Sequence, residues 1–354
     1  MKKYLALTMA ACMALSLAAC GSSASSTTSS SAAASTEATS DSAATAEATG
    51  SDNITGIAQC CDVGTLDDES FNQGCWEAIK GYGDENGIEY NYYLPSGEDA
   101  NDEDRETLIR QAVAEGANTI VCVGYLYGPA LGWAATEYPD IHFIAVDVNG
   151  FDINPENGTI PENVFSVTFK EEEAGYLAGY AAVKDGFTKL GFTGGGGGTN
   201  PACCRYGYGF VQGADAAAKE LGVNVDMNYS WQYGASFSAS PELQTMVSGW
   251  YEAGTEVVFA CGGSMFASVA AAAGAADGKV VGVDVDQSTE SDTVITSAMK
   301  GLADSVQWAL GKFYSNEFAS IGGVGTSLGA NENAVGLPTA TWSLTKWTVD
   351  DYNA

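Results

Sequence analysis

The sequence predicts an α/β protein with two lobes, each containing a doubly wound parallel sheet. From residue 54 onward, short apolar runs alternate with helical stretches, which is typical of βαβ units. Most of these runs are continuously apolar, as in sheets covered on both faces. The pattern occurs twice, over 54–160 and 161–285, and therefore predicts two similar lobes.

Nine apolar runs are predicted as strands, with seven helical stretches between them. The predicted strands are 57–63, 89–94, 119–123, 142–148, 164–169, 189–193, 223–231, 256–261 and 279–285. The predicted helices lie near 70–82, 103–115, 129–138, 171–185, 205–221, 240–253 and 264–275. The run 333–348 is expected to supply a last strand that crosses back to a lobe.

The predicted domain organisation follows from these elements. The first lobe covers 53–160, with segments returning to it after about residue 286, and the second covers 161–285. Residues 286–354 supply hinge crossings and C-terminal elements. Crossings are expected near 161, near 286 and at the C-terminus.

Charge excludes whole classes of partner. The chain has 354 residues with 14 Lys+Arg against 45 Asp+Glu, a formal net charge of −31. Such a protein does not gain affinity for a nucleic-acid polymer by displacing counterions from phosphates. Binding to anionic lipid through a basic patch is excluded for the same reason.

The N-terminus has the pattern of a bacterial lipoprotein leader. Lys2 and Lys3 precede an apolar run, which predicts a secretory signal over 1–19. The four residues 17–20, Leu-Ala-Ala-Cys, resemble a lipobox, which implies cleavage before Cys20 and lipidation of its sulfur. An ordinary signal with a chance Cys is the alternative. The Ser/Ala/Thr-rich stretch 20–52 is predicted to be a disordered tether.

Catalytic and metal-binding patterns are missing from the sequence. His142 is the only His, it begins a predicted strand, and it is interpreted as structural. No P-loop, nucleophile elbow or zinc motif occurs, so no cofactor, metal or enzymatic activity is expected. Most cysteines after Cys20 lie in apolar runs and are expected to be free and buried. A partner for Cys203 or Cys204, in a predicted loop, stays open.

Polar or glycine residues follow the strands in both predicted lobes. Asp147 follows one strand of the first lobe, whereas Gly262 and Asp284 follow two strands of the second. Ligands of open parallel sheets bind beyond the carboxyl ends of the strands. The sequence therefore predicts one site between two facing lobes, unless these turns are simply rich in Gly and Asp.

The segment 67–82 carries the most specific signal. Ser70 and Gln73 have the spacing of a capping box at a helix start. Phe71 falls on the predicted core stripe of that helix, whereas Asn72 and Trp76 share another face. We interpret Trp76 as a ligand contact; the alternative is that it covers a neighbouring helix.

Several ordered motifs resemble one known family, the basic membrane protein lipoproteins. The motifs are DDESFNQ at 67–73, FSVTFKEEEAGYLAGYAA at 165–182, VVGVDVDQ at 280–287 and TSAMK at 296–300. The resemblance spans roughly 54–312. It implies a type I periplasmic-binding fold, two lobes joined by a hinge, and a role as the substrate-binding protein of an ABC importer. Some members of this family bind nucleosides.

The resemblance also implies a set of ligand contacts. A purine would be sandwiched between Trp76 and Phe237. The remaining expected contacts are Asp67, Asn72, Asp147, Asp284, Lys300 and the backbone of Gly262. On pattern alone, a lone Lys beside a helix start is more often a solvated surface residue.

The second lobe departs from the family pattern. Five glycines occupy 194–198, where the family has a turn with fewer glycines followed by basic residues. Of those basic positions only Arg205 remains. Phe237 also lacks the Asp that often follows it in the family. The departures from the family pattern therefore fall among the expected contacts of the second lobe.

Together these features predict a monomeric, lipid-anchored, extracytoplasmic binding protein, and the tether suggests a Gram-positive cell surface. Its expected partners are a nucleoside, with purine favoured, and the permease and ATPase subunits of an ABC importer. Two alternatives stay open from the sequence. The same fold could bind another small neutral solute such as a sugar or furanose signal, or it could serve as a sensor or surface lipoprotein not coupled to transport.

Overall fold

The structure is a computed structural model that describes residues 56–97 and 100–354. The predicted signal 1–19, the lipidation site Cys20 and the tether 20–52 lie outside the described residues. Within the described ranges, no helix is both long and apolar enough to cross a bilayer.

Strands and helices alternate along most of the chain. The strands are β1 (Ile57–Cys61), β2 (Tyr90–Tyr93), β3 (Thr119–Val123), β4 (His142–Val146), β5 (Val164–Phe169), β6 (Lys189–Gly194), β7 (Asp226–Ser230), β8 (Val257–Cys261), β9 (Lys279–Asp284), β10 (Val294–Lys300), β11 (Gly325–Leu328) and β12 (Val335–Gly336). The helices are α1 (Phe71–Asn86), α2 (Asp102–Ala114), α3 (Gly128–Glu137), α4 (Gly150–Ile153), α5 (Glu171–Lys184), α6 (Pro201–Leu221), α7 (Pro241–Glu252), α8 (Met265–Ala276), α9 (Leu302–Tyr314) and α10 (Val349–Asn353).

Two six-stranded sheets form the framework of two lobes. The first has the order β11-β5-β4-β3-β1-β2, and the second has β12-β10-β9-β8-β6-β7. The second therefore repeats the first strand for strand. All pairs are parallel except the short β12, which is antiparallel to β10. This confirms the predicted α/β class and the two parallel sheets.

The chain passes between the lobes later than expected. The strand β5, expected in the second lobe, pairs with β4 in the first sheet, and the first crossing follows it at Lys170. The strand β10 completes the second sheet, so the second crossing lies near Gly301 rather than near 286. The third crossing connects β11 to β12. Sheet pairing, which links distant residues, decides these points.

Local sequence explains the ends of the helices. Asn101 caps α2 through hydrogen bonds from the backbone of the first turn. Pro201 occupies the first position of α6, where its missing N–H costs nothing. The helices α1 and α6 end at Gly87 and Gly222, both in the left-handed conformation that glycine adopts without strain.

Central strands are buried on both faces, as their apolar sequences predict. β1, β3 and β8 have every residue buried. The cysteines at 60, 61, 75, 122, 203, 204 and 261 are all free. Cys203 and Cys204 lie in the first turn of α6 rather than in a loop.

Candidate functional site

A cavity of about 220 Å³ lies between the lobes, beyond the carboxyl ends of the parallel strands. This is the location where open α/β sheets bind ligands. Its volume is below the ~300–1,000 Å³ of pockets for drug-sized molecules, so it suits a small metabolite. Six of the eight predicted contact residues line it: Asn72, Asp147, Phe237, Gly262, Asp284 and Lys300.

The other two predicted contacts lie elsewhere. Trp76 packs edge-on against Tyr90 and Tyr92, with ring centroids 5.4 and 5.2 Å apart. It therefore covers the neighbouring strand β2 and does not line the cavity. Asp67 is exposed and does not line it either.

Two other residues of the segment 67–82 line the cavity instead. Phe71 lines the cavity as the first residue of α1, and Asp68 lines it from the preceding turn. Phe71 and Trp76 are five residues apart and thus about 140° apart around the helix. The pattern had placed Phe71 in the core; in fact its ring reaches the cavity from the end of the helix.

Asp68, rather than the predicted capping box, satisfies the start of α1. Its carboxylate accepts hydrogen bonds from the backbone N–H groups of Ser70, Asn72 and Gln73 at 2.9–3.1 Å. Gln73 accepts from the N–H of Glu69, so the predicted box with Ser70 is wrong. Burial raises the pKa of Asp68 to about 6, although these N–H groups act in the opposite direction.

Asn72 is held by the backbone that surrounds it. Its Nδ2 donates to the carbonyl oxygens of Val63 and Thr65 at 3.0 and 2.9 Å. Two carbonyl acceptors identify this atom as the nitrogen. The Oδ1 atom is buried and has no hydrogen-bond partner within the described chain, so it is an unsatisfied acceptor in a side chain that lines the cavity.

Lys300 lies at the centre of a buried charge cluster, not on the surface. Its Nζ is 2.5 Å from Asp147 Oδ2, 3.3 Å from Asp284 Oδ1 and 3.6 Å from Glu171 Oε1. Burial alone would lower the pKa of Lys300, but the three carboxylates outweigh it and raise that pKa above its usual range. The ammonium also lies 4.5 Å from the ring centroid of Phe71.

Asp62 is a further buried acid on the cavity wall that the sequence did not single out. Its Oδ2 accepts from the N–H of Leu126 at 3.2 Å, and its carbonyl accepts from Arg105 at 3.1 Å. Burial raises the pKa of Asp62 to about 7. A side chain on Gly124 would lie 2.0 Å from this carboxylate, so glycine is required there.

In the second lobe, Arg205 is the basic position that remains after the glycine run. Its Nε is 2.5 Å from Glu171 Oε2, and it lines the cavity. Burial and the charge of Asp147 raise the pKa of Glu171, against the effect of Lys300 and Arg205. Tyr206 donates from its hydroxyl to Asp284 at 3.3 Å, which fixes that carboxylate.

The lobes touch each other around the cavity. Ser70 Oγ, in the first lobe, donates to Asp284 Oδ2 of the second at 2.8 Å. The hydroxyl oxygens of Thr65 and Ser264 approach to 3.5 Å across the mouth of the cleft. The structure therefore shows a closed arrangement of the two lobes.

The lining favours a neutral or cationic ligand rather than an anion. Six carboxylates and three cationic side chains line the cavity, so a phosphate group would meet net repulsion. Residues 56–97 and 100–354 contain no cluster of three or more His, Cys, Asp or Glu able to hold a metal ion. His142 is the first residue of β4, where it packs against Phe313 and Phe318, and burial lowers its pKa.

Known proteins match this chain at the levels of sequence and fold. The chain is 31% identical over 286 residues to basic membrane protein B of Borreliella burgdorferi, covering 78% of this chain and 79% of that protein. It is 30% identical over 239 residues to the ABC transporter nucleoside-binding protein BmpA of Lactococcus lactis subsp. cremoris, covering 64% and 62%.

Solved structures share the two-lobe fold. A solute-binding protein of an ABC transporter system from Aeropyrum pernix K1 superposes with a TM-score of 0.68 at 22% identity, covering 80% of this chain and 76% of that one. At that identity the likeness shows the fold alone. The family model described as ABC transporter substrate-binding protein, PnrA-like, matches residues 57–352. The chain therefore belongs to the PnrA-like family of ABC transporter substrate-binding proteins.

Proposed function

We propose that this substrate-binding protein captures a nucleoside, with purine favoured, and delivers it to the permease and ATPase of an ABC importer. One observation carries the proposal. Phe71 of the first lobe and Phe237 of the second line the same closed cavity. Aromatic side chains bind a base by stacking, which contributes ~1–3 kcal/mol per base.

Polar groups on the cavity wall match the donors of a nucleoside. Asn72 Oδ1 and Asp147 Oδ1 are buried and have no hydrogen-bond partner within the described chain. An unsatisfied buried acceptor costs about 1–3 kcal/mol. Ribose hydroxyls and base N–H groups are donors that would satisfy these atoms, whereas an apolar ligand would not.

The charge of the wall separates nucleosides from nucleotides. Carboxylates outnumber cations two to one around the cavity. Each phosphate oxygen would need a cation or an N–H donor, and the buried cation Lys300 is already engaged with three carboxylates. We therefore infer an uncharged sugar end for the ligand.

The mechanism is closure of two lobes about the three crossings, with no covalent chemistry. The ligand binds where residues of both lobes converge, so it has more contacts in the closed form than in the open form. A ligand with this difference in affinity shifts the population towards closure. The permease then receives a closed, loaded protein.

We also propose that Cys20 carries the lipid anchor and that the binding domain is monomeric on the extracytoplasmic face. The leader and the tether lead to this part of the proposal. Cys20→Ala is expected to abolish incorporation of labelled fatty acid and to release the protein from the membrane. Unchanged labelling of that variant would contradict it.

Calorimetric titration tests the ligand. The purified protein is unfolded and refolded to remove carried ligand, then titrated with inosine, guanosine, adenosine, uridine, cytidine and ribose. Purine nucleosides are expected to bind, and ribose alone is not. Binding of ribose without base preference would overturn the nucleoside and favour a sugar ligand. If none of these compounds binds, the proposed nucleoside ligand is wrong, although the fold is unaffected.

A further inference from the structure

Gly195 and Gly196, within the glycine run 194–198, lie directly behind the ring of Phe237. A Cβ atom on Gly195 would be 2.3 Å from both Cδ1 and Cε1 of Phe237 and 3.1 Å from its Cγ. A Cβ on Gly196 would be 3.2 Å from Cζ of the same ring. The ring therefore rests on the bare backbone of these two residues.

Gly195 differs from the glycines that follow it. Gly196, Gly197 and Gly198 have φ values of 68°, 60° and 86°, so their backbone conformation itself favours glycine. Gly195 has φ −73° and ψ 168°, an extended conformation that any residue adopts. Glycine is therefore needed at position 195 because a side chain would collide with its neighbours, and not because of the backbone conformation.

The three atoms nearest to that missing side chain all belong to Phe237. Phe237 lines the cavity whereas Gly195 does not, so the ring lies between the glycine and the cavity. Ordinary contact with a Cβ begins near 3.4 Å. A methyl group on Gly195 would thus push the ring by about 1 Å or more towards the ligand.

The backbone of Phe237 cannot move away easily. It has φ 59°, which is rare for a bulky residue. Its N–H donates to the carbonyl of Gly234, and its carbonyl accepts from the N–H of Met265, both at 3.1 Å. With the main chain held on both sides, the surface behind the ring decides where the ring lies.

We propose that Gly195 is a positioning residue that holds the ring of Phe237 back and thereby sets the space for an aromatic base. This inference rests on the proposed function, because it assumes that a base occupies the space beside Phe237. Gly195 touches no ligand in this scheme and acts only through the ring.

A double-mutant cycle tests the inference, because it separates action through the ring from a general structural effect. Inosine affinity is measured by calorimetry for the wild type, Gly195→Ala, Phe237→Ala and the double variant. Gly195→Ala is expected to weaken binding on the order of 10-fold when Phe237 is present. With Phe237 replaced by Ala, the same change is expected to alter affinity less than ~2-fold, because no ring is left to displace.

The matched control is Gly274→Ala in α8 of the same lobe. No atom lies within 4 Å of a Cβ at that position, so unchanged affinity is expected. Equal losses from Gly195→Ala in both backgrounds, or no loss in either, would overturn the inference. If Gly195→Ala fails to fold, recovery of folding by adding Phe237→Ala supports it, and failure of both variants overturns it.

Failure of the proposed function gives a different result. In that case the wild type does not bind inosine at all. Crystal structures of the wild type and Gly195→Ala then still decide the positioning role. A displaced Phe237 ring in the variant supports it, and an unmoved ring overturns it.

Discussion

The two lobes present corresponding strand ends to one cavity but carry different side chains there. The N–H of Asp62, after β1, donates to Val123 O at 3.1 Å; the N–H of Gly195, after β6, donates to Cys261 O at 2.8 Å. These two residues therefore occupy equivalent positions. The first lobe places a buried acid there, and the second places a bare backbone that supports an aromatic ring.

Other positions are the same in both lobes. Gly124 follows β3 and Gly262 follows β8, both with positive φ. Asp147 follows β4 and Asp284 ends β9, with φ values of 57° and 67°. Both aspartates approach the same lysine. The same residue types recur because the same turns follow equivalent strands in both lobes, and these turns require a positive φ at these positions.

The ends of β5 and β10 differ again. The register of the strands makes Phe169 and Lys300 equivalent, and both line the cavity. One lobe contributes an aromatic ring and the other a cation. The two lobes therefore have the same backbone geometry at the cavity, but equivalent positions carry side chains with different roles. Four sets of substitutions test this difference between the lobes.

The largest expected effect is the loss of stability when Lys300, the cation at the end of β10, is replaced. Lys300→Met leaves three acidic neighbours without their counterion in a site where the lysine side chain is only 3% exposed. Breaking a buried ion pair costs about 3–5 kcal/mol, so the free energy of unfolding should fall by that amount in urea titrations. Lys170→Met, at a 3.9 Å pair with Glu173, should cost less than ~1 kcal/mol. Equal costs would contradict the central role of Lys300.

The next effect is the pH dependence of stability that arises from Asp62. The equivalent position of the second lobe is Gly195, which has no acidic group. Its folded pKa of about 7 lies above the unfolded value of ~3.9, so folding favours the protonated form. Its contribution to stability is full below about pH 4 and is lost as pH rises towards 7. In the wild type, the free energy of unfolding should fall as the pH rises through this window. Asp62→Asn should make that slope shallower by up to ~1.4 kcal/mol per pH unit.

Urea titrations across that window measure the slope, and exposed Asp215→Asn serves as the control. Asp68 and Glu171 have pKa values raised in the same direction, to about 6 and about 7, so part of the slope should remain. A slope that Asp62→Asn leaves unchanged would show that this acid does not take up the proton.

A third change separates Phe71 from Trp76, two aromatic residues of α1. Phe71→Ala should weaken inosine binding by ~1–3 kcal/mol, because it removes the first lobe's stacking surface. Trp76→Ala should leave affinity unchanged, because that ring packs on Tyr90 and Tyr92 outside the cavity. Calorimetry measures both. The reverse ranking would restore Trp76 as the ligand contact.

The smallest effect concerns the equivalent glycines. Both have positive φ, so alanine introduces backbone strain in either lobe. A Cβ on Gly124 would also meet the Asp62 carboxylate at 2.0 Å, whereas one on Gly262 would meet Met265 Sδ at 3.0 Å and the Gly195 backbone at 3.2 Å, both milder approaches. Gly124→Ala should therefore be less stable than Gly262→Ala by about 1 kcal/mol. Equal melting temperatures would show that the acid of the first lobe yields as easily as the sulfur.

Much of the fold was readable from the sequence because central strands are continuous apolar runs. The runs at 119–123 and 164–169 were predicted with the bounds that the structure shows. The strand β10 and the helix α9 were not predicted as elements. β11, with four residues, was not predicted either, whereas β12, with two, lies within the run 333–348 that was predicted to supply a last strand. Both exist because an adjacent strand offers a free edge.

The sequence by itself determined the α/β class, the two lobes and the family, since these follow from repeated local patterns and motifs. It also identified six residues of the cavity wall. Asp147, Gly262 and Asp284 were found because ligand-facing residues lie at strand ends, and the family resemblance supplied Asn72, Phe237 and Lys300. Only the tertiary structure decided that Phe71 and Asp68 take the places expected of Trp76 and Asp67. It alone showed that Asp62 and Gly195 are equivalent and that Lys300 is buried. These properties depend on which distant strand ends and helix ends meet across the cleft, and no local pattern records that.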